Sequence, residues 1–226
     1  LVSTINKMTR DVMKQADALL KEKQVIFWDF DGVIKDSVIV KSIGYEKLFM
    51  PFGEEVVEMV RHHHKVHGGI SRYEKIPLYL SWAGQQATAE QVKEFCDRFS
   101  DLVIQAVIDA PWVPGIREYL QKNQNSQCYV LITATPQKEI EHILGALDIF
   151  CCFREVHGAP KAKADAIGEV LSRLSLSAEK GVVVGDSDTD LKAAEDNNVD
   201  FLLRRTPFNQ DLQKRFRGSC FKSLSI

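Results

Sequence analysis

Four stretches of this chain are apolar almost without a break: VIFWDF at 25–30, CYVLITA at 128–134, GVVVGD at 181–186 and DFLLR at 200–204. They are short and rich in β-branched and aromatic residues, the pattern of strands buried on both faces of a parallel sheet. Around them the period changes. GIREYLQKN, QKEIEHILGALD, KADAIGEVLSRL and DLKAAEDN place apolar residues at helical spacing. Strand and helix alternate, which predicts an α/β fold with a doubly wound parallel sheet.

Residues 38–110 interrupt that alternation. GYEKLFM, EEVVEMVRHHHKV, RYEKIPLYLSW and AEQVKEFCDRFSDLVIQAVI all carry helical periods, and no strand pattern lies among them. Pro111 and Pro114 in APWVPG mark the return to the α/β pattern. The expected organisation is a core of residues 1–37 and 111–226 with a helical subdomain, 38–110, inserted into it. An amphipathic helix over residues 8–21, with Met8, Val12, Met13, Ala16, Leu19 and Leu20 on its apolar face, is expected to pack on the core.

Composition narrows the classes of function. The 226 residues carry 29 Lys+Arg against 31 Asp+Glu, a net charge of −2, so no basic footprint invites nucleic acid or an anionic membrane. A small-molecule partner is expected. No run approaches the roughly twenty apolar residues of a membrane span. Five cysteines, Cys96, Cys128, Cys151, Cys152 and Cys220, form no CxxC pair, which fits a reduced, cytoplasmic setting. The chain begins with Leu1 rather than Met, as a piece of something longer would.

The candidate chemistry lies where the apolar runs end. In open α/β sheets ligands bind beyond the carboxyl ends of the strands, near the point where strand order reverses. The first run ends in Asp29 and Asp31, the second in Thr133, and the third in Asp186 followed by Asp188 and Asp190; Lys161 and Lys163 precede a helix between the last two. Carboxylates about 4 Å apart repel by on the order of 4 kcal/mol per pair at an effective dielectric near 20. A hard cation resolves this. Mg²⁺ takes oxygen ligands and uses one or two carboxylates together with a substrate phosphate, so the expected substrate is a phosphate ester. Positions i and i+2 of a strand share a face, so Asp29 and Asp31 can reach one pocket, one attacking phosphorus and the other handling the leaving group's proton. A turn signal at Asp31-Gly32 and helix capping by Ser187 or Asp188 are the plainer explanations for the same residues.

DFDGVIKDS, LITATP, GAPKAKADAI and VVVGDSDTDLKAA, in this order and at this spacing, resemble the four motifs of the haloacid dehalogenase-like superfamily of phosphatases, in the branch with a helical cap after the first motif. The resemblance spans about Gln24 to Arg205. It implies a Rossmann-like core, a cap of residues 38–110 and hydrolysis through a phosphoaspartate. Asp29 would be nucleophile and metal ligand. Asp31 would be general acid/base, kept protonated by neighbouring carboxylates, with its carbonyl on the metal. Thr133 would hydrogen-bond a phosphoryl oxygen, and Lys163, on which the G-x-P-x-x-K pattern falls, would neutralise the phosphate; Lys161 is the competing lysine. Asp186 would ligate Mg²⁺, with Asp190 on a metal-bound water or the lysine. Gly32, Ala134, Arg72 and Lys41 complete the expected substrate-binding set.

Three further features bear on substrate. GGISRYEK, 68–75, resembles a cap segment of β-phosphoglucomutase-like relatives in which the arginine meets a distal group of the substrate, and Ser71 with Glu74 has the form of a capping box. Lys41 stands where those mutases carry a hinge histidine, a departure that favours hydrolysis over phosphoryl migration. His62, His63, His64 and His67 include an i, i+4 pair able to share a metal, although no acid pattern accompanies them and a solvated or substrate-facing helix end is the reading preferred. The alternatives kept open are a sugar phosphate mutase, a phosphonate hydrolase using an imine on Lys41, Lys47, Lys65 or Lys75, and a non-catalytic phosphate-binding module. Haloacid dehalogenation is disfavoured, since a metal-free reaction has no need of Asp31 and Asp186.

Overall fold

The computed structural model describes residues 15–224. Its core is a six-stranded sheet, all parallel, in the order β3-β2-β1-β4-β5-β6. The strands are β1 (Val25–Trp28), β2 (Cys128–Pro136), β3 (Glu155–Ala159), β4 (Gly181–Gly185), β5 (Asp200–Arg204) and β6 (Cys220–Phe221). The four apolar runs are the four inner strands. The outer two were not among the predicted strands. Glu155 and His157 interrupt the apolar character of β3, and β6 is two residues long, so neither carries the signature of a strand buried on both faces.

Successive side chains of each inner strand enter opposite layers. Ile26, Trp28, Tyr129, Leu131, Val182, Val184 and Leu202 pack on one side with α6 (Ile116–Asn123), α7 (Gln137–Ala146) and residues 15–22, the described part of helix α1. The beginning of the helix expected over 8–21 lies outside the described residues. Val25, Phe27, Val130, Ile132, Val183, Phe201 and Leu203 pack on the other side with α8 (Lys163–Leu174), α9 (Asp188–Asp196) and α10 (Gln210–Arg215). Both faces are covered, as a parallel sheet requires. The strand order reverses between β1 and β4, which opens a crevice at their carboxyl ends.

Between β1 and α6 the chain forms four helices, α2 (Val38–Phe49), α3 (Glu54–Val66), α4 (Arg72–Trp82) and α5 (Ala89–Asp109), with no strand among them. They bury an aromatic cluster of Tyr45, Phe49, Tyr79, Phe95 and Phe99, in which Tyr45 and Phe99 stack at 4.0 Å. Entry and exit of this insert run side by side: Asp36 N–H donates to the Pro111 carbonyl at 2.8 Å and Val113 N–H to that of Ile34 at 3.0 Å. Buried Lys35 fastens them, donating to the Ile108 carbonyl at 2.9 Å with its ammonium 4.6 Å from the centre of the Trp112 ring. The insert is thereby held above the crevice. At Gly69, between α3 and α4, a Cβ would lie 1.9 Å from Thr189 Oγ1 and 2.5 Å from Ser187 Oγ, so only glycine allows the insert's loop to rest on the start of α9.

Candidate active site

Each acidic residue of the crevice is delivered by the end of an element. Asp29 follows β1 directly, its N–H donating to the Val184 carbonyl of β4 at 2.9 Å. Asp186 follows β4. Asp190 sits on the first turn of α9, where Ser187 and Asp190 cap each other reciprocally: Asp190 N–H reaches Ser187 Oγ and Ser187 N–H reaches Asp190 Oδ2 at 3.1 Å. A reciprocal capping box therefore forms here. At Ser71–Glu74, where one was expected, Ser71 caps α4 by accepting from Tyr73 N–H, without the reciprocal bond.

Asp29, Asp186 and Asp190 are buried, with one carboxylate oxygen of each within 4.8 Å of the others. Lys163, at the N-terminus of α8, places Nζ 3.0 Å from Asp29 Oδ1 and 2.6 Å from Asp190 Oδ1. Lys161 turns away to pair with Glu169. Three carboxylates and one ammonium leave two negative charges in a desolvated pocket. Burial, followed by the charge of Asp190, pushes the Asp29 carboxyl up to about 7, and burial with the charges of Asp29 and Asp190 raises Asp186 well above its ordinary value. Burial opposes a charge on Lys163, but Asp190 and Asp29 outweigh it and raise its pKa. The donor set, hard oxygens with a twofold charge deficit, fits a hard divalent cation.

Asp31 behaves differently from the expectation. Burial alone would raise its carboxyl, but Lys41 pairs with it and Ser37 Oγ donates to it at 2.6 Å, while Thr135 Oγ1 donates at 3.2 Å. Together they hold it below the usual carboxylate range, so it is ionised and not kept protonated by its acidic neighbours. Lys41 also donates to Thr135 Oγ1 at 2.7 Å. Thr135 and Ser37 were missed from the sequence, although Thr133 and Thr135 share the i, i+2 spacing of one strand face.

The remaining candidates separate clearly. Thr133 is buried, and with Ala134, Lys41, Asp29 and Asp31 it lines a cavity of about 440 Å³ between core and insert. Gly32 takes φ +76, and a Cβ there would sit 2.1 Å from Asp186 Oδ2, so it is the backbone's close approach that requires glycine. Asp188 pairs with Arg215. Arg72 borders the cavity, but its fork closes on Glu139 of α7 at 2.6 and 2.8 Å and its Nη1 also reaches Ser100 Oγ at 2.6 Å. Its charge is spent within the protein, in place of the expected substrate contact. The i, i+4 pair does share a face, with the His63 and His67 rings 4.4 Å apart, but His63 Nδ1 meets the Tyr79 hydroxyl at 3.0 Å, His62 is exposed and His64 is buried beside Lys75, so no group of three metal ligands includes a histidine among the described residues.

The family model of the haloacid dehalogenase-like hydrolases matches residues 23–198. The chain belongs to that family. Among curated proteins, this hydrolase is 24% identical over 185 residues to a phosphorylated carbohydrates phosphatase of Thermotoga maritima, covering 78% of this chain and 82% of the relative. Among solved structures, it resembles a β-phosphoglucomutase from Clostridium difficile, with TM-score 0.68 and 19% identity over 84% of this chain and 87% of the other. A haloacid dehalogenase-like family protein from Streptococcus pneumoniae gives TM-score 0.66 and 18% identity, covering 89% and 95%. These likenesses bear out the expected core.

Of the four lysines considered for imine chemistry in this hydrolase, Lys41, Lys65 and Lys75 border the cavity. Lys75 is buried, and burial, then the charge of Lys41, lowers its pKa to about 7. The ordinary value for a lysine, which the unfolded chain is expected to approach, is 10.5. Between these values the unfolded state binds the extra proton, so stability rises with pH across that window. Wild type is therefore expected to gain on the order of a few kcal/mol relative to Lys75→Met between pH 7 and pH 10, measured as the difference in urea unfolding of the two proteins. A difference independent of pH would refute this.

Proposed function

We propose that this hydrolase is a Mg²⁺-dependent phosphatase that cleaves a small phosphate monoester through a phosphoaspartate on Asp29. The observation that carries the reading is the buried Asp29–Asp186–Asp190 cluster with Lys163 at the strand-order reversal, short of two positive charges and open to a cavity of small-molecule size. The family match and the phosphatase relative support it.

Asp29, Asp186 and the carbonyl of Asp31 would hold the ion, with Asp190 supporting Lys163. When bound, Mg²⁺ supplies positive charge to the phosphoryl oxygens. Lys163 and the Thr133 hydroxyl hold and neutralise the transferring group, while Asp29 attacks phosphorus and the bond from phosphorus to the ester oxygen breaks. The departing alkoxide takes its proton from the Asp31–Lys41 pair, where the proton rests on Lys41 Nζ. Ionised Asp31 then accepts a proton from the water that hydrolyses the phosphoaspartate, and free phosphate leaves. Residues 38–110 act as the cap, covering the crevice and selecting the leaving group. Five free cysteines fit the reduced cytoplasm.

The direct experiment is phosphate release from a panel of phosphorylated small molecules. Activity is expected with Mg²⁺, loss with excess chelator, and recovery when Mg²⁺ is restored. Undiminished activity in chelator would remove the metal from the reading, and a product that keeps its phosphate would replace hydrolysis by a mutase reaction.

A further inference from the structure

The insert's side of the cavity is crowded with cations: of five, three are answered by carboxylates, and Lys65 is exposed to water. Lys41 has Asp31, Arg61 has Glu46 at 3.1 Å, and Arg72 has Glu139. Lys75 has none among the described residues. It is 1% exposed, and its ammonium is held by His64 Nδ1 at 2.9 Å and the Gly68 carbonyl at 3.1 Å, neither of which carries negative charge. An uncompensated ammonium out of water is costly, and such groups are normally paired.

His64 adds a second unanswered group. It is 4% exposed, and burial holds its imidazole neutral, its pKa well below the ordinary value. An ammonium can only donate, so His64 Nδ1 accepts and the ring proton lies on Nε2. That nitrogen is buried without a hydrogen-bond partner. Lys75 also keeps one of its three N–H groups without a hydrogen-bond acceptor, with the Tyr45 ring centre 5.7 Å from its Nζ. In its protonated form Lys75 thus brings a free donor and an unanswered positive charge to the wall of the cavity whose other side holds the acidic cluster.

From this arrangement we infer that Lys75, seated on His64, forms a subsite for a second anionic group on the substrate, so that this hydrolase takes phosphate esters of alcohols that also bear a carboxylate or another phosphate. The inference rests on the phosphatase reading and names its substrate class. The scissile phosphate lies at the acidic floor with the ion. The distal anion accepts from Lys75 Nζ, supplying the countercharge that the protein withholds, while His64 Nδ1 and the Gly68 carbonyl hold the ammonium in place.

Matched pairs of substrates test it on the Mg²⁺-loaded full chain. 3-Phosphoglycerate and glycerol 3-phosphate differ by a carboxylate in place of a hydroxymethyl group; propane-1,3-diol bisphosphate and its monophosphate differ by the second phosphate. Wild type is expected to prefer the anionic member of at least one pair in kcat/KM, through KM, and the pair that shows it tells carboxylate from phosphate. Lys75→Met should lower that preference at least ten-fold, and Lys75→Gln provides the same comparison if the first variant does not melt cooperatively. Equal losses on both members, or no preference in wild type, overturn the subsite while leaving the phosphatase reading intact. Calorimetric titration of 3-phosphoglycerate and glycerol 3-phosphate reads the subsite without turnover. Failure to release phosphate from all four compounds and from p-nitrophenyl phosphate counts against the phosphatase reading instead, and binding without preference then overturns the subsite as well.

Discussion

Asp29→Asn is expected to lower phosphate release by about 10⁴-fold or more, the scale seen when the nucleophile of a covalent mechanism is removed. The exchange alters charge and leaves shape nearly unchanged. Asp29 lies in a pocket whose burial and acidic neighbours already disfavour its ionised form, so a neutral amide relieves repulsion from Asp190 and Asp31. Lys163 keeps Asp190 as its partner at 2.6 Å. The variant should consequently melt no lower than wild type in metal-free buffer, while losing the stabilisation that added Mg²⁺ gives wild type. Turnover within ten-fold of wild type would eliminate Asp29 as the nucleophile. A collapsed melting transition would instead assign it a structural task.

Glu139→Ala should cost about 3–5 kcal/mol of stability, because it leaves the Arg72 guanidinium buried without its countercharge. That is a large share of the 5–15 kcal/mol that domains typically possess. Both partners are buried, and Ser100 donates to the same carboxylate at 2.6 Å, so water cannot substitute easily. Arg72→Leu should cost a similar amount for the mirror-image reason. The pair replaced together, Arg72→Leu with Glu139→Leu, is expected to recover most of the loss, since an apolar pair of comparable volume avoids desolvating either charge. Urea unfolding of wild type, Arg72→Leu, Glu139→Leu and the double variant gives the coupling energy. Additive losses would show that the two side chains act independently.

The sequence reading succeeded where local pattern and global placement agree. Val25–Trp28 and Gly181–Gly185 are legible as inner strands because both faces are covered, and a carboxylate directly after such a run is conspicuous. Asp29, Asp186 and Asp190 could therefore be anticipated as neighbours across more than 150 positions. What escaped depends on pairings that no short window contains. Arg72 and Glu139 are 67 residues apart, and nothing in GGISRYEK indicates that its arginine will meet a carboxylate from α7. The ionisation of Asp31 turned on Lys41, recognised as a departure from mutases but not as a countercharge. A signal for His64 was present: Val57, Val60 and His64 fall at i, i+3 and i+7 and are all buried, one face of α3 that ends in a polar ring.

Arg72 and Lys75 lie one helical turn apart on α4, while Glu139 belongs to the first turn of α7, immediately after the strand that carries Thr133 and Thr135. This buried pair thus helps to set the span between the buried lysine that lacks a countercharge and the threonines of the crevice floor. The separation is held by this pair together with the fastened hinge segments and the Gly69 loop that rests on α9. Such calipers measure a molecule end to end: an alcohol one carbon too short or too long would meet one jaw and miss the other, so homologous chain length, more than ring or stereochemistry, is where discrimination should be steepest.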